Sequence, residues 1–142
     1  MEQAYAYAVT DSGRIVGKAR FTNGGPLHAF VTRENYPSVN DPLFDMGTLG
    51  GTTSEVWDMN DQSGSVGGAQ ISTGKMRAFY LQVGAESLQP FDELPPLPGV
   101  TRTDYQSEAY GVNSFGDVVG YAQNQSLTSR AFKYEPGSMT SA

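Results

Sequence analysis

The side chains able to carry out acid–base or nucleophilic chemistry are few in this chain of 142 residues. His28 is the one histidine, and the absence of cysteine excludes a thiol nucleophile, a disulfide and a cysteine-based metal site. A Ser–His–Asp triad lacks the turn motif that would present its serine. We therefore interpret His28 as a packing or hydrogen-bonding residue at the start of a strand, and we expect neither a metal nor a cofactor.

Carboxylates are the other candidates for catalysis. Glycoside hydrolysis requires a pair of them roughly 5–10 Å apart, and Glu55, Asp58 and Glu108 are candidates. Glu55 and Glu108 occupy equivalent positions of an internal repeat, which favours a structural role or a solvated edge. The segment DMNDQSGS, residues 58–65, resembles a calcium loop but lacks its sixth-position glycine and its twelfth-position glutamate, so we interpret it as a hairpin turn.

Ligand binding depends on a different set of side chains. Arg77 and Arg130 take the repeat position that His28 holds in the first copy, and tyrosines can stack on sugars or bases. The residues that we expect to contact a ligand are His28, Arg77, Arg130, Tyr36 and Tyr105. The expected surface is formed by loops at one end of the sheets: Thr22–Leu27, Asn35–Pro42, Ser72–Lys75, Gly99–Thr103 and Asn124–Ser129.

A threefold internal repeat must position these residues. SEAYGVNSFGDVVGYA, residues 107–122, is matched by residues 54–69 and more loosely by residues 4–19, and an Ala-Phe pair follows each copy. The copies span approximately 4–51, 52–100 and 101–142 of a single domain, 1–142. The matched structural positions are Tyr7, Trp57 and Tyr110; Gly17, Gly67 and Gly120; and Phe30, Phe79 and Phe132.

Each copy has the pattern of a small antiparallel sheet. AYAYAVT alternates with a period of two, TDSG is a turn and RIVGKARF returns, so a hairpin is predicted, with a third strand over His28–Glu34 and a fourth over Leu43–Leu49. In the second copy Phe91-Asp92 is expected in register with Phe44-Asp45, and three prolines limit that segment to an edge or a connection. The third copy is expected to lack most of its fourth strand.

The aromatic repeat positions, like the repeated phenylalanines, are expected in the core. Large rings on one sheet would pack against the small glycine and alanine side chains of the next. No helical pattern is present at length, so the predicted fold class is all-β.

Composition excludes two classes of partner. The formal charge is −6 and the nine Lys and Arg residues are scattered, so we expect no nucleic-acid partner. No apolar run reaches the roughly 18 residues that span a bilayer, so no membrane insertion is expected. The start, MEQAYAYAV, lacks the pattern of a signal peptide.

The repeat resembles the HAF family of bacterial extracellular repeats, named for His-Ala-Phe. The motifs that carry the resemblance are His28-Ala29-Phe30, VNSFGDVVG at 112–120 and DMGTLGG at 45–51, and it covers nearly the whole chain. The later copies depart from it, with Arg77 and Arg130 in place of the histidine. The resemblance implies four-stranded propeller blades and a location outside the cell or at its surface, and it implies no catalytic residues.

Three repeats are fewer than the four to eight blades typical of propellers. Two chains could form a six-bladed ring, one chain could close alone, or the repeats could build a β-trefoil or β-prism with pseudo-threefold symmetry. We expect a homo-oligomer, as a dimer.

Three functions remain open at this point. The first is a non-catalytic repeat domain that binds a glycan or protein ligand or assembles. The second is a glycan-active hydrolase or lyase, which a deep pocket holding two carboxylates near Asp58 would favour. The third is an acidic intracellular inhibitor that acts by protein–protein contact.

Overall fold

The computed structural model describes residues 3–33, 42–62, 64–82 and 84–142. Within these ranges the chain is all-β, with three antiparallel sheets and one short 3-10 turn at Pro90–Asp92. The prediction of an all-β chain with several small antiparallel sheets is therefore confirmed. No helix in the described ranges has the length and apolar character needed to cross a bilayer.

Each sheet is a meander in chain order, because every turn connects neighbouring strands. The first sheet contains β1 (Ala4–Val9), β2 (Ile15–Arg20), β3 (Leu27–Val31) and β4 (Phe44–Asp45). The second contains β5 (Gly50–Met59), β6 (Ser65–Ile71) and β7 (Met76–Leu81). The third contains β8 (Ser107–Val112), β9 (Val118–Gln123), β10 (Ser129–Glu135) and β11 (Ser138–Ser141).

The fourth strand of the third copy differs from the sequence-based expectation, whereas the second copy has only a connecting segment there, as its prolines predicted. The last segment forms the complete strand β11, which pairs with β10, whereas the proline-rich segment of the second copy contributes only a single bridge from Glu93 to Phe79. In the first sheet Asp45 pairs with Phe30. Glu93 is thus the counterpart of Asp45, and the expected register of Phe91-Asp92 is wrong by one residue, because Pro90–Asp92 turns before the bridge forms.

The second sheet lies between the first and the third. Strand β5 packs on β2 and β3, and β8 packs on β6 and β7. Between the first two sheets the buried side chains include Val16, Ala29, Val56 and Met59, and between the last two they include Val66, Ala78, Ala109 and Val118. Since Val16 and Val66 are repeat equivalents, as are Ala29 and Ala78, the two interfaces are built in the same way.

Hydrogen bonds from backbone amides to serine hydroxyl oxygens join neighbouring sheets at equivalent places. The amide of Ala29 donates to Ser54 Oγ at 2.8 Å, and the amide of Ala78 donates to Ser107 Oγ at 2.9 Å. Both serines are buried and begin the inward-facing part of the first strand of their repeat. Each sheet is therefore fixed to the next by a specific polar contact as well as by apolar packing.

A β-bulge occurs at the same position in the first strand of every repeat. Tyr7, Trp57 and Tyr110 are each the extra residue where the register to the next strand shifts. The bulge brings the carbonyl oxygen two residues earlier against the opposing glycine. A Cβ on Gly17, Gly67 or Gly120 would lie within 2.0 Å of that oxygen, which explains the glycine at these positions.

The two groups of aromatic repeat positions have different surroundings. Phe30, Phe79 and Phe132 are buried, with at most 3% of their surface exposed. In contrast, Tyr7 and Tyr110 are 38% and 47% exposed, so the expectation that they lie in the core is wrong. The bulge is the physical reason, because an extra residue breaks the alternation of strand faces and turns its own side chain outward.

Candidate functional site

The outward-turned rings of the three bulges form one continuous row across the three sheets, which we call the aromatic row. It consists of Tyr7, Trp57, Tyr110 and Tyr121. Tyr7 stacks on Trp57 with ring centroids 4.7 Å apart, and Trp57 meets Tyr110 edge-on at 5.9 Å. Tyr121, on β9, continues the row at 6.0 Å from Tyr110. Rings at these distances attract one another, so the row holds its shape without a ligand.

Charged groups lie along the same row. Lys18 Nζ is 2.7 Å from Glu55 Oε2 and lies 5.7 Å and 5.9 Å from the ring centroids of Tyr7 and Trp57, within the range of a cation–π contact. The Tyr110 hydroxyl donates a hydrogen bond to Glu108 Oε2 at 3.1 Å. A cation, two carboxyl groups and phenolic hydroxyls thus meet on one surface.

The carboxyl groups of Glu55 and Glu108 are neighbours, close enough to share a hydrogen bond when one of them is protonated. Their proximity follows from the repeat, because each stands two residues before its bulge on adjacent first strands. Gly68 makes room for the pair, since a Cβ there would lie 2.8 Å from Glu108 Oε1. A cavity of about 170 Å³ adjoins Glu55 and Lys18.

The electrostatics of this pair favour a protonated carboxyl. Burial raises the pKa of Glu108, and the adjacent Glu55 raises that pKa further. Burial, together with the negative charge of Glu108, also raises the pKa of Tyr110 to about 12, so the phenol stays a donor. Burial opposes ionisation of Lys18, but its contact with Glu55 outweighs this and raises the pKa of the ammonium group.

The pH dependence of stability tests this arrangement. Because the folded-state pKa of Glu108 is raised above 4.5, the folded state binds the proton more tightly, and stability falls as the pH rises from that value through the folded pKa. Replacing Glu108 with glutamine removes this loss, so the variant becomes increasingly more stable than the unmodified chain towards neutral pH. Urea unfolding between pH 4 and pH 8 measures the difference.

The exposed residue Glu86 provides the matched control for that series. The variant Glu86→Gln removes one carboxylate at a site remote from the aromatic row, and its stability is expected to follow the pH profile of the unmodified chain. A Glu108→Gln profile that runs parallel to both would contradict the shared-proton interpretation.

Two of the predicted ligand contacts, Arg77 and Tyr105, have structural roles instead. Arg77 is 3% exposed, and its Nε donates to Glu93 Oε1 at 3.0 Å. Its terminal nitrogens donate to the carbonyl oxygens of Tyr105 and Thr103, and its guanidinium lies 3.8 Å from the centroid of the Tyr105 ring. This cluster fastens the segment that connects the second sheet to the third.

The remaining predicted contacts are distributed over separate places. His28 Nδ1 lies 3.0 Å from both carboxylate oxygens of Asp45, within the first sheet. Arg130 is exposed on β10 of the third sheet. Tyr36, with most of the loop over residues 35–42, lies outside the described residues. The structure therefore does not bring the predicted ligand set together in one site.

The sequence predicted only part of the aromatic row. The repeat equivalence of Tyr7, Trp57 and Tyr110 was visible, as was that of Glu55 and Glu108. The missed signal is the glycine that faces each first strand, because a glycine required by a close backbone approach indicates a bulge. A bulge would have predicted outward-facing rings.

No group of three or more potential metal-ligating side chains is assembled in the described ranges. The site therefore consists of aromatic rings, hydroxyls, one ammonium group and a carboxyl pair, which are groups that bind ligands through stacking and hydrogen bonds. Comparison with known proteins adds no relative, since the chain matches no family model, no curated protein and no solved structure.

Proposed function

We propose that the protein is a non-catalytic repeat β-domain that binds an extended oligosaccharide along the aromatic row. The observation that carries this proposal is a continuous set of contacting aromatic rings at the equivalent bulge of every repeat, of which Tyr7 and Tyr110 are exposed and Trp57 is half-buried. Isolated exposed aromatics are ordinary, but a contiguous exposed patch marks an interaction surface.

The polar groups beside the rings match the chemistry of a sugar. A pyranose presents C–H groups to aromatic rings and hydroxyls to polar side chains. The carboxyl pair of Glu55 and Glu108 accepts hydrogen bonds from such hydroxyls, and Lys18 donates them. Tyr5, on the same strand as Tyr7, is 45% exposed and extends the available ring surface.

Catalysis by the same carboxyl groups is disfavoured by the partners that they already hold. Retaining glycosidases hold their two carboxyl groups about 5 Å apart and inverting ones farther apart, so that a sugar carbon or a water fits between them. Lys18 Nζ already lies 2.7 Å from Glu55 Oε2, and the Tyr110 hydroxyl already donates to Glu108 Oε2 at 3.1 Å. The third candidate, Asp58, accepts a hydrogen bond from the Val112 amide at 2.9 Å and serves to join two sheets.

The proposed architecture is a set of propeller-type blades related to HAF repeats. Three meandering sheets, each begun by a strand that contributes to one shared row, are consistent with blades whose first strands lie on the inside of an arc. The motifs around His28 and Asp45–Gly51 support the HAF relationship. In this arrangement the aromatic row lines the inner side of the arc.

The single tryptophan allows a direct test, because Trp57 lies in the middle of the row. Titration with cellohexaose, xylohexaose and N-acetylchitohexaose is expected to change the Trp57 emission for at least one of them. Replacing Tyr110 with alanine removes one exposed ring and should weaken that binding by about tenfold, the equivalent of about 1.4 kcal/mol.

Phe115 supplies the control for the loss of a ring. It is 84% exposed in the turn between β8 and β9, outside the aromatic row, and Phe115→Ala should leave the affinity unchanged. If none of the three sugars changes the Trp57 emission and calorimetry detects no heat of binding, the oligosaccharide proposal is overturned.

A further inference from the structure

We propose that two copies of this chain associate head to tail, with the outer face of the third sheet of one copy packing against the outer face of the first sheet of the other. We call the outer face of the third sheet the leading face and the outer face of the first sheet the trailing face. Within one chain the same two kinds of face already pack twice, between the first and second sheets and between the second and third. The inference concerns assembly and is independent of the proposed ligand.

The leading face is a copy of two surfaces that are buried inside the chain. Val16 and Val66 are completely buried, whereas their equivalent Val119 is 50% exposed. Ala29 and Ala78 are likewise completely buried, whereas Ala131 is exposed. At these two positions the leading face therefore retains the side chains of an inter-sheet interface without a sheet against them, whereas Lys133 stands where Val31 and Tyr80 stand in the first two repeats.

The trailing face is the matching half. Val56 and Ala109 are completely buried against the preceding sheet, and their equivalent Ala6 is exposed. Met59 is 6% exposed, and its equivalent Val9 is 67% exposed. Phe30 and Ala19 on this face are already buried, so the surface left open is the strip around Ala6 and Val9.

Each open face carries a shallow groove. One of about 370 Å³ is lined by Gly111, Val119 and Lys133, and one of about 240 Å³ is lined by Ala6, Val9 and Ile15. A second copy is the occupant that these faces select, because it brings the same strand geometry and the same residue positions that fill both internal interfaces. A contact between two different faces is heterologous and can continue until it closes a ring.

One hydrogen bond distinguishes the contact between copies from the internal ones. Ser54 and Ser107 accept the amides of Ala29 and Ala78, but the equivalent of these serines in the first repeat is Ala4. The contact between copies therefore lacks the hydroxyl that would meet Ala131. Replacing Ala4 with serine supplies it and should tighten the association about fivefold, since a hydrogen bond contributes about 1 kcal/mol.

Sedimentation velocity over a wide range of protein concentration tests the proposal. The unmodified chain should self-associate, and the variant Ala4→Ser should do so at lower concentration. Val9→Glu blocks the trailing face and Val119→Glu blocks the leading face, so each of these variants alone should remain at the 15.3 kDa of one chain. Both positions are at least half exposed, and circular dichroism checks that each variant is folded.

Mixing the two blocked variants gives the decisive result. Val9→Glu retains an open leading face and Val119→Glu retains an open trailing face, so the mixture should form a complex of one chain of each. If each face bound the same face of a second copy, mixing the two variants would not form this complex. A monomer at all concentrations, or a mixture that stays monomeric, would overturn the proposal and assign the faces to a different partner.

Discussion

Replacing Gly120 with alanine is expected to destabilise the chain by about 3 kcal/mol or more, the upper range for overpacking at a well-packed site. The Cβ of the new alanine would lie 2.0 Å from the carbonyl oxygen of Glu108. That oxygen belongs to the backbone of the bulge, so no side-chain rotation relieves the clash. Gly67→Ala should behave in the same way, because its Cβ would lie 1.9 Å from the Glu55 carbonyl oxygen. Urea unfolding measures both effects.

Gly111 offers a matched control on the strand opposite Gly120. A Cβ there would lie 3.3 Å from Cγ2 of Val119 and 3.9 Å from Oδ2 of Asp58, and the half-exposed Val119 side chain is able to move. The cost of Gly111→Ala should therefore stay below about 1 kcal/mol. Equal stabilities of the variants Gly120→Ala and Gly111→Ala would contradict the role assigned to the bulge.

Replacing Arg77 with alanine is the second large effect that we expect, at about 3 kcal/mol. The substitution leaves the carbonyl oxygens of Thr103 and Tyr105 without their donor and removes the partner of Glu93. It also empties the space over the Tyr105 ring. Thermal and urea unfolding should show the loss, and the variant Arg77→Lys should recover only part of it, because one ammonium group cannot reproduce the planar guanidinium.

The repeat itself supplies the control for this experiment. Arg130 stands at the same repeat position but is exposed, so Arg130→Ala should change the free energy of unfolding by no more than about 0.5 kcal/mol. If the two alanine variants were equally stable, the buried cluster around Arg77 would have no structural role. Loss of ligand binding in Arg130→Ala with unchanged stability would instead restore the sequence-based assignment for that residue.

The sequence was sufficient for the features that depend on short-range physics. Alternation of large and small residues with a period of two identified the first strand, and turn residues such as Asp11 and Gly13 marked where the chain reverses. The threefold repeat identified which positions are equivalent, including the three glycines that face the first strands. These signals act between neighbouring residues or neighbouring strands, and they do not require knowledge of the assembled sheets.

The tertiary structure decided which equivalent residues are buried and which are exposed. Arg77 and Arg130 have the same local pattern, yet one is buried because the chain that follows the second sheet covers it and the other is not covered in the described part of the chain. Val66 and Val119 differ for the same reason. The outward turn of Tyr7 and Tyr110 depends on a bulge, whose mark in the sequence is the glycine that faces it on the next strand. Burial is a property of the neighbouring surface, so local sequence alone could not determine it.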